Sequence, residues 1–594
     1  MRNLNSFIAI TLVLTLLLTL TIGCEPAFEE PAEPAEPEEP EEPEEVEEAV
    51  PHVVAAVSSH YLATEAGIEI MEAGGTAADA AVAIAAVMSV VEPFFSSVLG
   101  GGTWALYYNA ETVQITSLDG VGPVGSNATV EDYDQRGGQF GMHQSVVPGA
   151  WDGWMIWLEE YGALDLGEIL APAIAIAREG HAVSGTLDSW INIRSDQIAA
   201  RPDAVAIYMP EGSFLQQGDT IYQYDLADTL EALVSEYDSM IDEGRSEALQ
   251  AARDYYYRGP LAEAIVAFSD EGGGYLTIED FNGFTAEIVN PISIQYSDEL
   301  EVFQNPPNSQ GINMLLALNI LKGYDMSQYG PDDAEAVHLQ AEALKLAFAD
   351  LHYLIGDPRR MEVSVDELLS DQYADNQRER ISMDAVIEWP TSDGLSFEPI
   401  DGDTTTFHIA DQHGNIASVT TSLGAEFMVV GDTGIHINNR MRMISTEEGI
   451  PNQLTPGYKV RHTSNPYMVL KNGKPYISGG NTGADVQTQA QVQQFMHIVE
   501  FGLSAQEAVA RPRFSTTAMP SLTFPYQIGN QLLMHRDFPE ELINELRAMG
   551  HDAVINGIIG SGNVIIISED GLNAEYGAEP LDDASHGIVI PAED

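Results

Sequence analysis

Along residues 61–92 small and apolar side chains recur at the three- and four-residue spacing of helices, first in YLATEAGIEIME and then in TAADAAVAIAAVMSVVE. Gly74 and Gly75 interrupt the pattern, so two closely packing helices with a break between them are expected. In SSVLGGGTWALYYNAETVQITSL the period changes after the glycines to an alternation of two, which predicts a hairpin. Helical spacing dominates from about 150 to 280. Residues 334–355, AEAVHLQAEALKLAFADLHYLI, predict a long amphipathic helix in which Val337, Leu339, Leu344, Leu346 and Phe348 serve packing. From 404 onward the short period returns in TFHIAD, IASVTTS, PYMVL, KPYISGG and NVIIIS, with helices expected over 484–511 and 538–549. LGGGT, VVPGAWDGW and NPPNSQGI read as turns. No internal repeat is visible. Strand layers flanked by helices predict an α/β protein with a sheet-on-sheet core under helices.

The N-terminus has a different pattern. One positive charge precedes an apolar run over residues 7–23 that is short for a membrane span and suits a signal segment, residues 1–23. The run stops at Cys24, the only cysteine, in TIGC. Lipidation of Cys24 and an extracytoplasmic, membrane-anchored location are expected. An uncleaved anchor helix is the alternative. With one cysteine no intrachain disulfide forms. Residues 25–49 alternate proline with glutamate, which prevents regular structure and extends the chain, so residues 24–49 read as a lipid anchor and acidic stalk ahead of a body that begins near Val50.

Charge narrows the function classes. The 594 residues include 92 acids and 24 bases, and the stalk holds only 13 of the acids, leaving 79 against 23 bases in the body. Such a surface excludes a nucleic-acid partner, which needs a basic face. It suits a high-salt setting, where self-repulsion is screened. There is no GxxxxGK[ST] and no HExxH, and the 14 histidines show no metal-ligand spacing, so neither metal nor cofactor is expected.

The stretch DGDTTTFHIADQHGNIASVTTSL, residues 401–423, places three threonines after an aspartate. By themselves they mark a strand start. In order along the chain, however, EAGGTAADAAVA, LGGGTWAL, VVPGAWDGW, PPNSQGI, HLQAEALKLAFADLHYLIGDP, DTTTFHIADQHGN, TGIHINN, NPYMVLKNGKPYISGGNTGA and ARPRF resemble the γ-glutamyltranspeptidase (glutathione hydrolase) family of N-terminal nucleophile hydrolases, over about residues 53–515. The resemblance implies a four-layer αββα sandwich. It also implies a precursor cut between Asp403 and Thr404 into a large subunit, 50–403, and a small catalytic subunit, 404–594. Thr404 would be the nucleophile, and Thr406 stands where members often carry histidine. Ser422 matches a supporting hydroxyl, with a plain strand serine as the alternative. Gly483 and Ala484 match paired glycines whose N–H groups form the oxyanion hole. Asn438 and Asn439 match a pair near the site, with a simple turn as the alternative.

Three positions depart from the family. Its arginine for the glutamyl α-carboxylate becomes Asp119, its aspartate for the α-amine becomes Met443, and a serine pair becomes His462-Thr463. Two substrate readings stay open. In one, Arg440, Arg442 or Arg461 supplies a relocated clamp, and the enzyme hydrolyses or transfers the acyl part of γ-glutamyl amides such as glutathione to water or an amine. In the other it is an acylase of a different N-acyl amide, and Asp119→Arg with Met443→Asp is expected to raise γ-glutamyl turnover. A processed but inactive binding protein is a third possibility.

Overall fold

The threonine-rich run is the centre of a sheet. A computed structural model describes residues 52–136, 139–389, 404–520, 527–557 and 560–592. The signal segment, Cys24, the stalk and Asp403 lie outside the described residues. Thr404–Ala410 pairs antiparallel with Ile416–Ser422 across a polar turn, and Thr404 stands opposite Ser422. On one side follow Gly102–Asn109, Gln114–Gly120 and Glu287–Val289; on the other, Val54–Ser58 and His586–Ile590 complete seven strands. A second, six-stranded sheet runs Ala574–Gly577, Gly562–Ile567, Lys474–Asn481, Tyr467–Lys471, Leu300–Gln304 and Ile292–Gln295.

Side-chain alternation assigns the faces. Phe407, Ile409, Ala417 and Val419 pack with Ala77–Val91, Ala150–Tyr161 and Leu166–Glu179 in an outer helical layer. Ala410, Ile416, Leu106 and Tyr108 instead meet Met468, Leu470, Ile565 and Ile567 between the sheets. Outside the second sheet, Gly311–Leu321, Ala334–Leu354 and Val486–Val499 form the other helical layer. These are the four layers αββα. By the same alternation Thr404, Thr406 and His408 point into the space between the sheets, and Thr405 points toward the first helical layer.

The expected packing residues of the long helix are all buried, but the helix is not amphipathic in place. It is covered on nearly every side, and even Glu342 and Lys345 are buried against each other at 2.6 Å. The helix expected over 484–511 is two, Val486–Val499 and Ala505–Ala510, separated by a turn in which Gly502 has φ +66° and Ser504 caps the second. That over 538–549 is Glu540–Ala548. VVPGAWDGW is a turn only as far as Gly149. There a helix begins that buries Trp151, Trp154 and Trp157. NPPNSQGI likewise turns into Gly311–Leu321. The strands Val54–Ser58 and Leu300–Gln304 and the small sheet of Phe514–Thr516, Gln531–His535 and Asp552–Asn556 lacked a distinctive alternation. Among the described residues no helix is long and apolar enough to cross a membrane.

Behind the strand Thr404–Ala410, Thr405 Oγ1 lies 2.8 Å from Ser59 Oγ and beside the buried Glu92. Burial, together with the charge of Asp582, pushes the Glu92 carboxyl well above its usual range, and burial lifts Asp582 to about 6. A carboxyl whose pKa is higher in the folded chain binds protons more tightly there, so this part of the stability is lost as pH rises from about 4 through the folded pKa. Glu92→Gln is expected to raise the urea midpoint at pH 7–8 and to leave it unchanged near pH 4. A gain of equal size at both pH values would show that the charge of Glu92 is not what destabilises.

Candidate active site

The paired strand ends bring Thr404 Oγ1 to 3.0 Å from Ser422 Oγ. Arg440, in the 3₁₀ turn Arg440–Met443, is buried and donates through Nη1 to Ser422 Oγ at 2.6 Å and through Nη2 to Asn439 Oδ1 at 2.6 Å. Asn439 in turn donates to Glu426 Oε1 at 2.8 Å. Asn438 donates to the carbonyls of Gly100 and Val146 and accepts from the N–H of Val146, so the pair pins its loop to the Gly-rich turn and is not a simple turn of its own. Because a guanidinium only donates, Ser422 Oγ accepts from Arg440, and it lies within hydrogen-bond reach of Thr404. Ser422 is therefore not a solvent-facing strand serine.

Gln487, not anticipated from the sequence, closes the other side of Thr404. When its amide is oriented so that the nitrogen donates to Asn465 Oδ1 (3.1 Å), the Thr463 carbonyl (3.0 Å) and the Asn481 carbonyl (3.2 Å), its oxygen accepts from Thr404 Oγ1 at 3.2 Å. The bonds link Arg440, Ser422, Thr404 and Gln487 in one chain. The available signal was position. Gln487 follows Ala484 by three residues, in the first turn of its helix.

Gly483 has φ +110° and Ala484 has φ +51°, and both precede Val486–Val499. The turn matched to the oxyanion hole holds two positive-φ residues in succession, the second with a Cβ, at a cost of about 1–2 kcal/mol for a left-handed non-glycine. Gln310 Nε2 holds the turn by donating to the Ala484 carbonyl at 3.0 Å and to the Thr463 carbonyl at 3.2 Å.

The doubtful substrate residues separate into two groups. Met443 packs against Ala484, so an apolar contact lies where a carboxylate was matched. His462 stays close to the nucleophile strands, since a Cβ on Gly102, the partner of Ser422, would stand 3.3 Å from His462 Nε2. Asp119 belongs to the same inward face as Thr404 but lies across three strand pairings, through Trp104 and Thr420 to Thr406. There Lys459 Nζ donates to Asp119 Oδ2 at 2.6 Å. Burial holds the Asp119 carboxyl above its usual range, against the pull of Lys459. Asp119 is thus buried and engaged by Lys459 where the family resemblance leads one to expect an arginine.

One expectation about histidines needs correction. His338 and Glu342, four apart on one helix, meet His551 with their ligand atoms all within 4.8 Å, a grouping the sequence reading missed because His551 is remote in the chain. His338 Nδ1 faces His551 Nε2 at 2.8 Å and His338 Nε2 faces the Ser382 carbonyl at 2.8 Å. Glu342 accepts from Lys345 and from the Ile387 N–H, both at 2.6 Å. The cluster is closed by its own hydrogen bonds.

The chain resembles known proteins along most of its length. Residues 63–586 match the family described as Gamma-glutamyltranspeptidase. The chain is 32% identical over 539 residues to the glutathione hydrolase-like YwrD proenzyme of Bacillus subtilis (strain 168), covering 89% of this chain and 97% of that one. It is 31% identical over 532 residues to the acylase ACY 1 proenzyme of Pseudomonas sp. (strain SE83), covering 87% and 90%. The crystal structure of cephalosporin acylase from Bacillus halodurans superposes with a TM-score of 0.79 at 30% identity, over 93% of this chain and 98% of that one.

Proposed function

Because the chain belongs to the γ-glutamyltranspeptidase family of enzymes, we propose that it is a proenzyme that cuts itself between Asp403 and Thr404 and then opens small N-acyl amides with the freed Thr404. The observation that carries this reading is the Thr404–Ser422–Arg440 chain of hydrogen bonds. In the precursor Thr404 Oγ attacks the Asp403 carbonyl, and the bond to the Thr404 nitrogen breaks to leave an ester. Water opens the ester, releasing the Asp403 carboxylate and the Thr404 hydroxyl beside the α-amine freed in the first step. The cut separates the large subunit, 50–403 with whatever still precedes it, from residues 404–594. A threonine hydroxyl needs an adjacent base, and the new α-amine, with an ordinary pKa of about 7.7–8.0, supplies it.

In turnover the amine takes the hydroxyl proton as Oγ attacks the substrate carbonyl. The N–H groups of the Gly483–Ala484 turn receive the developing oxyanion. Collapse expels the amine half of the substrate and leaves an acyl-enzyme, which water or an acceptor amine resolves.

Two observations favour an acyl group other than γ-glutamyl. Asp119 is engaged by Lys459, and Met443 packs on Ala484, so neither matched position offers a charge partner to an amino-acid head group. Missing one buried charge partner costs about 2–5 kcal/mol, and about 1.4 kcal/mol is tenfold. Among the relatives, acylase names stand beside glutathione hydrolase names. Purified processed enzyme is therefore expected to show at least a tenfold higher kcat/KM on its best N-acyl p-nitroanilide than on glutathione or γ-glutamyl p-nitroanilide. Glutathione turned over as fast as the best acyl anilide would return the reading to a γ-glutamyl enzyme with a relocated clamp.

A further inference from the structure

The helix Val486–Val499 buries five glutamines, Gln487, Gln489, Gln491, Gln493 and Gln494. Buried amides need partners, and four of the five have structural ones. Gln489 and Gln493 bond the backbone of Thr516 and Phe514, completing the edge of the strand Phe514–Thr516 as a neighbouring strand would. Gln494 accepts from the Tyr467 hydroxyl at 2.7 Å. Gln491 donates to the Asn465 carbonyl at 2.6 Å and accepts from Gln304 Nε2 at 3.1 Å. Of the five, Gln487 is the one turned to Thr404.

Its orientation is fixed from behind. Asn465 Oδ1 and the carbonyls of Thr463 and Asn481, all acceptors, lie within 3.2 Å of one end of the amide. Only an NH₂ group satisfies them, which leaves the amide oxygen facing Thr404 Oγ1. Asn465 is held in turn, because its Nδ2 donates to Gln491 Oε1 at 3.2 Å and its carbonyl accepts from Gln491 Nε2. Two amides one helical turn apart are thus braced on the same asparagine, and the nearer one presents an acceptor to the nucleophile. An amide oxygen is far too weak a base to keep the Thr404 proton. What it fixes is the direction of that O–H, and with it the direction of the lone pairs on Oγ.

We propose that Gln487 is a catalytic residue chiefly of the self-cleavage, with Asn465 as its positioning residue, an inference that rests on Thr404 being the nucleophile of a chain that cuts itself. In that step Thr404 Oγ bonds to the scissile carbonyl carbon, the bond from this carbon to the Thr404 nitrogen breaks, and the hydroxyl proton ends on that nitrogen. No free α-amine exists yet, so the hydroxyl depends on Ser422 and Gln487 for its direction. After the cut the freed amine also bonds the hydroxyl, and Gln487 becomes one of three supports instead of one of two. Loss of Gln487 therefore slows the cut by a larger factor than it slows turnover.

The test follows both reactions in Gln487→Met, which keeps the length of the side chain and removes the acceptor, and in Asn465→Leu, with Gln494→Leu as a control on the same helix. Full chain made by cell-free synthesis is sampled over time on a denaturing gel for the rate of the cut. Turnover of an N-acyl p-nitroanilide is expressed per cut chain. Gln487→Met is expected to cut at least tenfold more slowly, to lose a smaller factor in kcat and to keep KM within about twofold. Asn465→Leu is expected to show the same order of losses at smaller amplitude, and Gln494→Leu to cut at the wild-type rate. Urea midpoints of each variant on the uncut Thr404→Ala background separate folding from chemistry. Should Gln487→Met not fold, Asn465→Leu decides by the same comparison. A wild-type rate of cutting in Gln487→Met, a loss confined to KM, a larger loss in kcat than in the cut, or equal slowing in Gln494→Leu would overturn the role of Gln487. A wild-type chain that turns over amides without being cut would overturn the self-cleavage reading, and the role of Gln487 with it.

Discussion

Thr404→Ala is expected to leave a single uncut chain and no amide turnover above background. The same oxygen is asked to do both reactions. Before cleavage it attacks the Asp403 carbonyl, and afterwards it attacks the substrate, aided by an amine that exists only once the cut has been made. Alanine removes the attacking atom and, with it, a hydrogen-bond partner of Ser422 Oγ. No neighbour can substitute. Thr405 turns to the other face of the sheet toward Ser59, and the Thr406 hydroxyl donates to the Val419 carbonyl at 2.9 Å. Wild type should run as two chains on a denaturing gel, the smaller beginning TTTFH. Thr404→Ser, which keeps an oxygen at the same place, should still be cut. An intact wild-type chain that nevertheless turns over amides would remove the self-cleavage reading. Full turnover by Thr404→Ala would remove Thr404 as nucleophile.

The second large effect is on stability. Asp119→Arg is expected to destabilise the protein by about 3–5 kcal/mol or more, because it breaks a buried ion pair and sets a second cation against Lys459. With Lys459 beside position 119, the gain in γ-glutamyl turnover from Asp119→Arg with Met443→Asp is expected to be larger once Lys459 is changed as well. Adding Lys459→Asp should restore most of the lost stability by re-forming the pair with opposite polarity. Urea unfolding of the single and double variants measures both effects. A wild-type midpoint for Asp119→Arg would falsify the view that this pair is a closed structural unit.

How much of this was legible beforehand depended on the range of the interaction. Helices such as Ala77–Val91 and Ala334–Leu354 announced themselves because local spacing reports burial on a helix face. The threonine-rich strand and its partner did so because both have short alternating patterns joined by a polar turn. Val54–Ser58 and Leu300–Gln304 did not, since strands covered on both faces carry little contrast between them.

The site divides in the same way. Thr404, Ser422, Asn438, Asn439, Gly483 and Ala484 could be placed by their motifs, and the order of those motifs along the chain identified the four-layer sandwich. What the motifs stood for in space came only from tertiary structure. Arg440 was one of several candidate arginines until the 3₁₀ turn aimed it at Ser422. Asp119 was only a departure from an expected arginine until Lys459, 340 positions away, was found bonded to it. Gln487, the His338–Glu342–His551 cluster and the loose Arg461–Asp485 contact had no sequence signal strong enough to name them. The sequence determined which residues can carry charge or a nucleophile and which stretches bury a face, because these are properties of side chains and short periods. Which charges neutralise each other, and which donors remain open, was decided by long-range packing, because partners in an ion pair or a hydrogen bond need only be close in space.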